Sequence, residues 1–336
     1  MKRIFITGIT GFLGSHTAKA LIDAGHKVTG LVRNTEIPKL LKRYTPDIVE
    51  GDINTPDTYK DILKKTDVVV NCAALAAFNA PLQDYMRVNY DGTKALFNAA
   101  ENAGVSLFVH IGTRGTFGPA DPPESANENT PKPDPETTYP YIHSKALADA
   151  YIKTRLKEME MKGVILSPTS LFGVGDERPT PTGNIIMKFL EGKIKTYMDG
   201  GINVIDVEDA AQAIKTAVSS PNGCFESGET FFLGNANINL KDLFDTLADI
   251  TGKSKPFIKV PYHAAMTAAW IMKTSSGFTG KPAFTTPDKV ISVYRRHAWC
   301  SSEKAVNALS LPQTPIDVTL RKTADWFIKR LAQKQI

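Results

Sequence analysis

Apolar residues arrive first as a short run, Lys2 to Thr7, then at helical spacing as Phe12, Leu13, Ala18, Leu21 and Ile22. Glycines separate the two patterns, so the opening predicts strand, tight turn and helix. The same alternation continues. Strands are predicted at 27–32, 47–50, 67–71, 105–111 and 164–166, with long helices over 81–103 and 139–162. The strand at 67–71, the fourth in the chain, reads DVVVN, the continuous apolar run expected where both faces of a sheet are covered. Strands alternating with helices predict an α/β fold with a doubly wound parallel sheet.

Beyond Ser167 the periodicity weakens. A stretch rich in Pro, Asp, Glu and Asn over 118–138 and a proline cluster at 178–183 predict irregular loops, and long loops of this kind are usually functional. Strands at 203–207 and 230–233 are expected to return to the main sheet. Helices near 240–251, 262–273, 302–309 and 315–331 are expected to build a cap. The expected division is a nucleotide-binding domain over 1–166 with returning segments at about 203–233, and a smaller, discontinuous C-terminal substrate lobe over 167–202 and 234–336. Residues 176–202 and 254–300 are expected to line a pocket.

With 336 residues, 42% hydrophobic and 22% charged, the composition is that of a globular protein. The net charge of +5 comes from lysines and arginines scattered among acids, which argues against a nucleic-acid stripe. Cys72, Cys224 and Cys300 have neither paired nor metal-like spacing, so a reducing compartment and no metal are expected. The chain goes straight into its first strand and has no apolar run of roughly 18 residues. No leader peptide, no membrane span and a cytoplasmic location are therefore expected.

Gly8, Gly11 and Gly14, between strand and helix, carry the clearest chemistry. Each removes a Cβ where the backbone must turn, approach a pyrophosphate or let the helix pack on the sheet, and the helix N-terminus offers free N–H groups to an anion. A Rossmann-type dinucleotide site is the reading. Tyr141 and Lys145 are four apart on a predicted helix, about 6 Å along its axis, which lets an ammonium approach a phenol. A nearby cation lowers a phenol pKa from its usual value near 10. Such a tyrosine exchanges a proton with a carbonyl or alcohol oxygen. Tyr90 and Lys94 share the spacing but follow the fourth strand, whereas Tyr141 follows the fifth strand and the long loop, nearer the expected ligand crevice. His110 and His143 also stand out, but His143, two residues from Tyr141, is expected to face elsewhere on the helix and is read as structural.

These segments together resemble the extended short-chain dehydrogenase/reductases, the NAD-dependent epimerase/dehydratase superfamily. The resemblance rests on TGITGFLG at 7–14, GDI at 51–53, NCAA at 71–74, VNYDGT at 88–93, YIHSK at 141–145, SPTSLFGVGD at 167–176 and IDVEDAAQAI at 205–214. The segments RPTPTGNIIMKFL, DGGINVIDVEDAA and TADWF are most similar to dihydroflavonol-reductase-like and hopanoid-associated sugar-epimerase-like members. The resemblance implies a catalytic set of Thr113, Tyr141, Lys145 and Asn89, with Thr113 hydrogen-bonding the reacting oxygen. It implies cofactor contacts from Thr7, Gly8, Thr10, Gly11, Phe12, Leu13, Gly14, Arg33, Asp52, Ile53, Ala73, Ala74, Asn89, Tyr141, Lys145, Pro168 and Thr169.

Where an NAD site usually has an acid at the end of the second strand, this chain has Val32 and then Arg33, with Lys39, Lys42 and Arg43 nearby. An arginine fork suits a ribose 2′-phosphate, so NADP(H) is preferred, with NAD(H) also accommodated. Sugar dehydratases carry Asp-Glu after the active-site hydroxyl residue. Here Arg114 and Gly115 follow Thr113, which argues against dehydration. Arg114 and Arg178 are candidate substrate contacts, and Arg114 is read equally as binding an anionic group or as pairing with an acid of the long loop. The expected activity is hydride transfer between nicotinamide and a ketone or secondary alcohol of a small-molecule substrate. A nucleotide-sugar epimerase retaining its cofactor and a non-enzymatic NADP sensor are the alternatives. A homodimer through the helices at 82–103 and 139–161 would suit the resemblance.

Overall fold

The computed structural model describes residues 1–34, 37–76, 80–119, 125–134, 138–220, 224–279, 285–287, 290 and 297–333. Parts of the long loop at 118–138 and of the expected pocket lining at 254–300 lie outside them.

Seven strands form one parallel sheet: β1 (Arg3–Thr7), β2 (Lys27–Val32), β3 (Asp47–Glu50), β4 (Val68–Asn71), β5 (Leu107–Ile111), β6 (Lys162–Pro168) and, numbered last of these in the chain, β10 (Thr230–Leu233). Their spatial order is β10-β6-β5-β4-β1-β2-β3. The chain builds outward from β1 through β2 to β3, then returns to place β4 against the other side of β1. The order of connection therefore reverses at β1 and β4, beyond whose C-terminal ends sheets of this kind bind their ligands.

The central strands are buried on both faces because helices cover both. On one face, α1 (Phe12–Asp23), α7 (Val207–Ser219) and α10 (Glu303–Leu309) pack around Ile4, Ile6, Val68, Val70, Val109 and Val164. On the other, α4 (Gly92–Asn102) and α5 (Pro140–Arg155) pack on Phe5, Val69, Phe108 and Ile165. Burying the alternate residues of an apolar strand on opposite faces is what makes the run continuous rather than alternating. The α4 helix is preceded without a break by α3 (Leu82–Tyr85) and a π-turn over Met86–Asp91.

The C-terminal lobe has its own core. Here α6 (Pro181–Leu190), α8 (Leu240–Thr251) and α11 (Ile316–Gln333) gather Phe189, Leu243, Leu247, Leu320 and Phe327 against β7 (Ser170–Phe172) and β9 (Gly201–Asp206). In sequence, β10 of the main sheet falls between β9 and α8 of this core.

Three expectations need correction. The strand expected at 203–207 runs over Gly201–Asp206 and does not return to the main sheet. It pairs with β7, β11 (Ala236–Asn239) and β13 (His297–Ala298), because β10 already occupies the edge beyond β6. The helix expected over 139–162 ends at Arg155. Leu156 and Met161 are both drawn into the core, so the chain turns between them and β6 starts at Lys162. Finally, α9 (Tyr262–Thr279) extends past the expected 262–273.

Candidate active site

The glycine turn follows β1 directly. Gly8 has φ +68°, a left-handed conformation that disfavours a side chain. A Cβ there would also lie 2.7 Å from the backbone of Cys72 and Ala73, at the end of β4. Gly14 sits in the first turn of α1, where a Cβ would collide with the Gly8 carbonyl. Small residues thus let the turn, the helix and the β4 exit close on one another. Gly11 caps α1 with no side-chain hydrogen bond, which leaves first-turn N–H groups for an anion. These residues fit a dinucleotide pyrophosphate.

The ends of the central strands are joined by a buried polar chain. Thr7 Oγ1 donates to Asn71 Oδ1 at 2.6 Å and accepts from the Ala73 amide at 3.2 Å. Asn71 Nδ2 donates to Thr93 Oγ1 at 3.1 Å and lies 3.2 Å from His110 Nδ1. These partners follow from strand register, since Thr7 pairs with Asn71 and Asn71 with His110 across β1, β4 and β5. Burial, reinforced by the Lys145 charge, pushes His110 down to about 4, so the ring is neutral at pH 7. With the Asn71 amide donating to Nδ1, the ring proton sits on Nε2, 3.5 Å from Asp149 Oδ1.

Lys145 closes this chain. Its ammonium donates to the Ile111 carbonyl at 2.6 Å and stands 3.4 Å from His110 Nε2. Burial pushes Lys145 down to about 8, with Asp149 opposing the shift. Burial alone would raise the Asp149 carboxyl, but His110 and the charges of Lys145 and Lys132 hold it below the ordinary carboxylate range. Thr116 Oγ1 adds a hydrogen bond to Asp149 Oδ2 at 3.3 Å.

Tyr141 lies one turn earlier on α5, with Thr113 against its phenol. The expected depression of its pKa is not found. Burial pushes the phenol up to about 12, partly offset by the Thr113 hydroxyl, while the Lys145 ammonium is engaged by the end of β5. Tyr141 is therefore a protonated phenol at neutral pH. Its ring and those of Tyr85 and Tyr139 form a cluster with centroids 6.1–6.2 Å apart. The Tyr90/Lys94 pair is elsewhere: Tyr90 stacks edge-on with Tyr151, and the exposed Lys94 lies over the same Tyr151 ring.

Asn89 is buried within the π-turn. Its Oδ1 accepts the Leu75 amide at 2.7 Å, and its Nδ2 donates to the Leu75 carbonyl at 3.2 Å and to Ser144 Oγ at 3.0 Å. It fixes the chain leaving β4 against α5. Ala73 and Ala74 lie on that exit. Asp52 accepts both the backbone and side-chain N–H of Asn54 at 2.9 Å, and these bonds, with the charges of Arg87 and Arg33, hold its carboxyl low. Arg33 is exposed at the end of β2, while Ile53 and Leu13 are buried in the core. Thr10 and Phe12 are half-buried in the turn. Pro168 ends β6, and Thr169 Oγ1 donates to Asn203 Oδ1 at 2.9 Å across the seam to the second sheet.

Arg114 is buried, and its bonds run to backbone carbonyls: Trp299 at 2.9 Å and Phe117 at 3.4 Å. Among the described residues it pairs with no acid. Arg178 is exposed in the loop before α6. Of the stretch expected to line a pocket, Trp270, Ile271 and Phe278 face solvent. Among the described residues no cluster of His, Cys, Asp or Glu could hold a metal, and no helix is long and apolar enough to cross a membrane.

The sequence reading missed His110 and Asp149 as parts of the site. Two signals were available: a polar residue near the end of each apolar strand, and an acid four positions after Lys145 on the same helix.

Parallel sheet, reversed connection order and a glycine cradle together define a Rossmann-type protein. A family model described as "NAD dependent epimerase/dehydratase family" matches residues 4–234. The chain belongs to that family. It is 28% identical over 323 residues, 96% of this chain and 94% of the relative, to a Synechocystis protein provisionally named dihydroflavonol 4-reductase. It is 25% identical to the decarboxylating sterol-4-alpha-carboxylate 3-dehydrogenase of Dictyostelium discoideum, covering 81% of this chain and 84% of the relative. Among solved structures, the crystal structure of gox2253 matches with a TM-score of 0.85 and 26% identity, over 98% of this chain and 99% of that one.

Proposed function

We propose that the protein is an NADP(H)-dependent reductase of a ketone, with Tyr141 as the proton donor. The observation that carries this reading is the protonated, half-buried Tyr141 phenol standing against Thr113, at the end of β5 and two strands from the glycine cradle. A bound nicotinamide supplies the hydride. Gly8, Gly11 and Gly14 would hold the pyrophosphate, Arg33 the adenosine 2′-phosphate, and the exit from β4 at Ala73 and Ala74 would border the cofactor.

At the reacting carbonyl, Thr113 holds the oxygen by a hydrogen bond, and Tyr141 delivers its proton as negative charge develops there. A phenol pushed up to about 12 remains a far stronger acid than the alcohol it forms, so transfer to an alkoxide is downhill. Lys145, whose ammonium is held by the Ile111 carbonyl, would meet the cofactor ribose with its positive charge near neutral pH. Asn89 is a positioning residue, because its polar atoms are used to brace β4 against α5.

An epimerase would return its hydride within one turnover, and a sensor would transfer none. Ketones offered to the cofactor-depleted protein are expected to cause stoichiometric loss of NADPH absorbance. Turnover of a nucleotide sugar without net cofactor change would replace the reductase by an epimerase. The relatives named as a reductase and as a sterol dehydrogenase favour an apolar ring-bearing substrate.

A further inference from the structure

Six of the eleven exposed large apolar side chains among the described residues fall between Phe257 and Phe278. Helix α9 packs inward through small residues, Ala265 and Ala269, which meet Val290 with Met198, Val260, Tyr262 and Met266 around them. At 100° per residue, Ile271 and Phe278 fall opposite Ala269, with Trp270 beside them. Their exposures are 64%, 87% and 56%. The approach to the helix continues the pattern, with Phe257 77% exposed next to Ile258 on β12 (Ile258–Lys259). A helix held by alanines on one side and showing Trp, Ile and Phe on the other has an unpartnered apolar face.

Charge selects the occupant. The described residues 251–279 carry four lysines, Lys253, Lys255, Lys259 and Lys273, and no acid. No acidic residue lies between Asp249 and Asp288. Lys273 sits over the Trp270 ring at 5.4 Å, and Lys253 is exposed. Lys255 and Lys259 have exposed ion pairs to Asp249 and Asp199, of the kind that contributes little and gives way to a competing anion. A second copy of this face would bring lysines against lysines. A nucleic-acid backbone would neutralise the lysines but leave Ile271 and Phe278 in water. An anionic bilayer surface satisfies both features, with apolar side chains at the acyl boundary and ammonium groups among the headgroups.

We infer that α9 and the strand before it form an interfacial docking surface for membranes rich in anionic lipid. The protein lies on the bilayer through this face and does not span it. The inference is independent of the redox reading, because binding is measured without substrate or cofactor.

The test is co-sedimentation of the full chain with vesicles of phosphatidylglycerol and phosphatidylcholine, against pure phosphatidylcholine, at low and high salt. Binding is expected to the anionic vesicles, to fall at least about tenfold in high salt, and to be lost in the triple variant Trp270→Ser, Ile271→Ser, Phe278→Ser. A blue shift of tryptophan fluorescence on binding is expected in the wild type and absent in Trp270→Phe, a change too mild to threaten folding. Three results would overturn the inference: wild-type protein remaining in the supernatant, vesicle binding unaffected by the triple variant, or a concentration-dependent dimer that the triple variant dissolves.

Discussion

A lysine only 1% exposed, with a pKa pushed down to about 8, is a costly thing to build, and its surroundings show what offsets the cost. The Ile111 carbonyl takes one of its protons, and Asp149 supplies the compensating charge, itself held by His110 and Thr116. The sign of the coupling gives a prediction. Because Asp149 raises the Lys145 pKa against burial, Asp149→Asn removes that support and lets the amine deprotonate earlier. Turnover is expected to fall as pH rises through about 8 in the wild type, and this limb is expected to move down by about one unit in the variant. A pH–rate profile that keeps its alkaline limb in place would separate Asp149 from Lys145. His110, held neutral with a pKa near 4, is not expected to contribute a limb between pH 6 and 8.

At the scale of elements, two local irregularities set the site. The π-turn at Met86–Asp91 delivers Asn89 into the interior, a common use of such turns near functional sites. Asn89→Ala would leave the Leu75 amide and carbonyl without their partner, and is expected to lower stability by about 1–3 kcal/mol, read as a denaturation midpoint. Closure of α1 on the glycine turn is the second irregularity. Gly14→Ala puts a methyl into the Gly8 carbonyl, so the cradle must open. A loss of about 1–3 kcal/mol is expected, together with weaker NADPH binding in a fluorescence titration. The glycine spacing made this element legible from sequence, because glycine marks a backbone requirement wherever it sits. The π-turn was not legible: Asn89 differs from a normal helical residue only in which way one turn is wound. Nor was the end of α5, where helical spacing continues past Arg155 and tertiary burial of Leu156 and Met161 decides the turn.

For the whole molecule, the main sheet could be read because each of its strands is an apolar run between turn signals, and parallel order follows from the helices between them. Pairing partners are another matter. Nothing local in Gly201–Asp206 says that it joins Ser170–Phe172 and Ala236–Asn239, since that choice depends on β10 having filled the sheet edge. The chain from Thr7 through Asn71 and His110 to Asp149 was hidden for a similar reason: its members are far apart in sequence and meet only once strand order and register are known. The proposed preference for NADP(H) also belongs to this scale, because Arg33 and Asp52, just beyond the ends of β2 and β3, lie close enough to interact. Arg33→Asp is expected to reverse the preference, weakening NADPH binding at least about tenfold while sparing NADH, as measured by paired titrations.

Proton delivery to the substrate oxygen is assigned to the phenol of Tyr141. The direct measurement compares wild type with Tyr141→Phe for ketone-dependent NADPH oxidation and for NADPH affinity on the same preparations. Turnover is expected to fall by about 10²–10⁴-fold with the affinity nearly unchanged. A variant that still turns over at the wild-type rate would contradict the assignment of the proton to this residue.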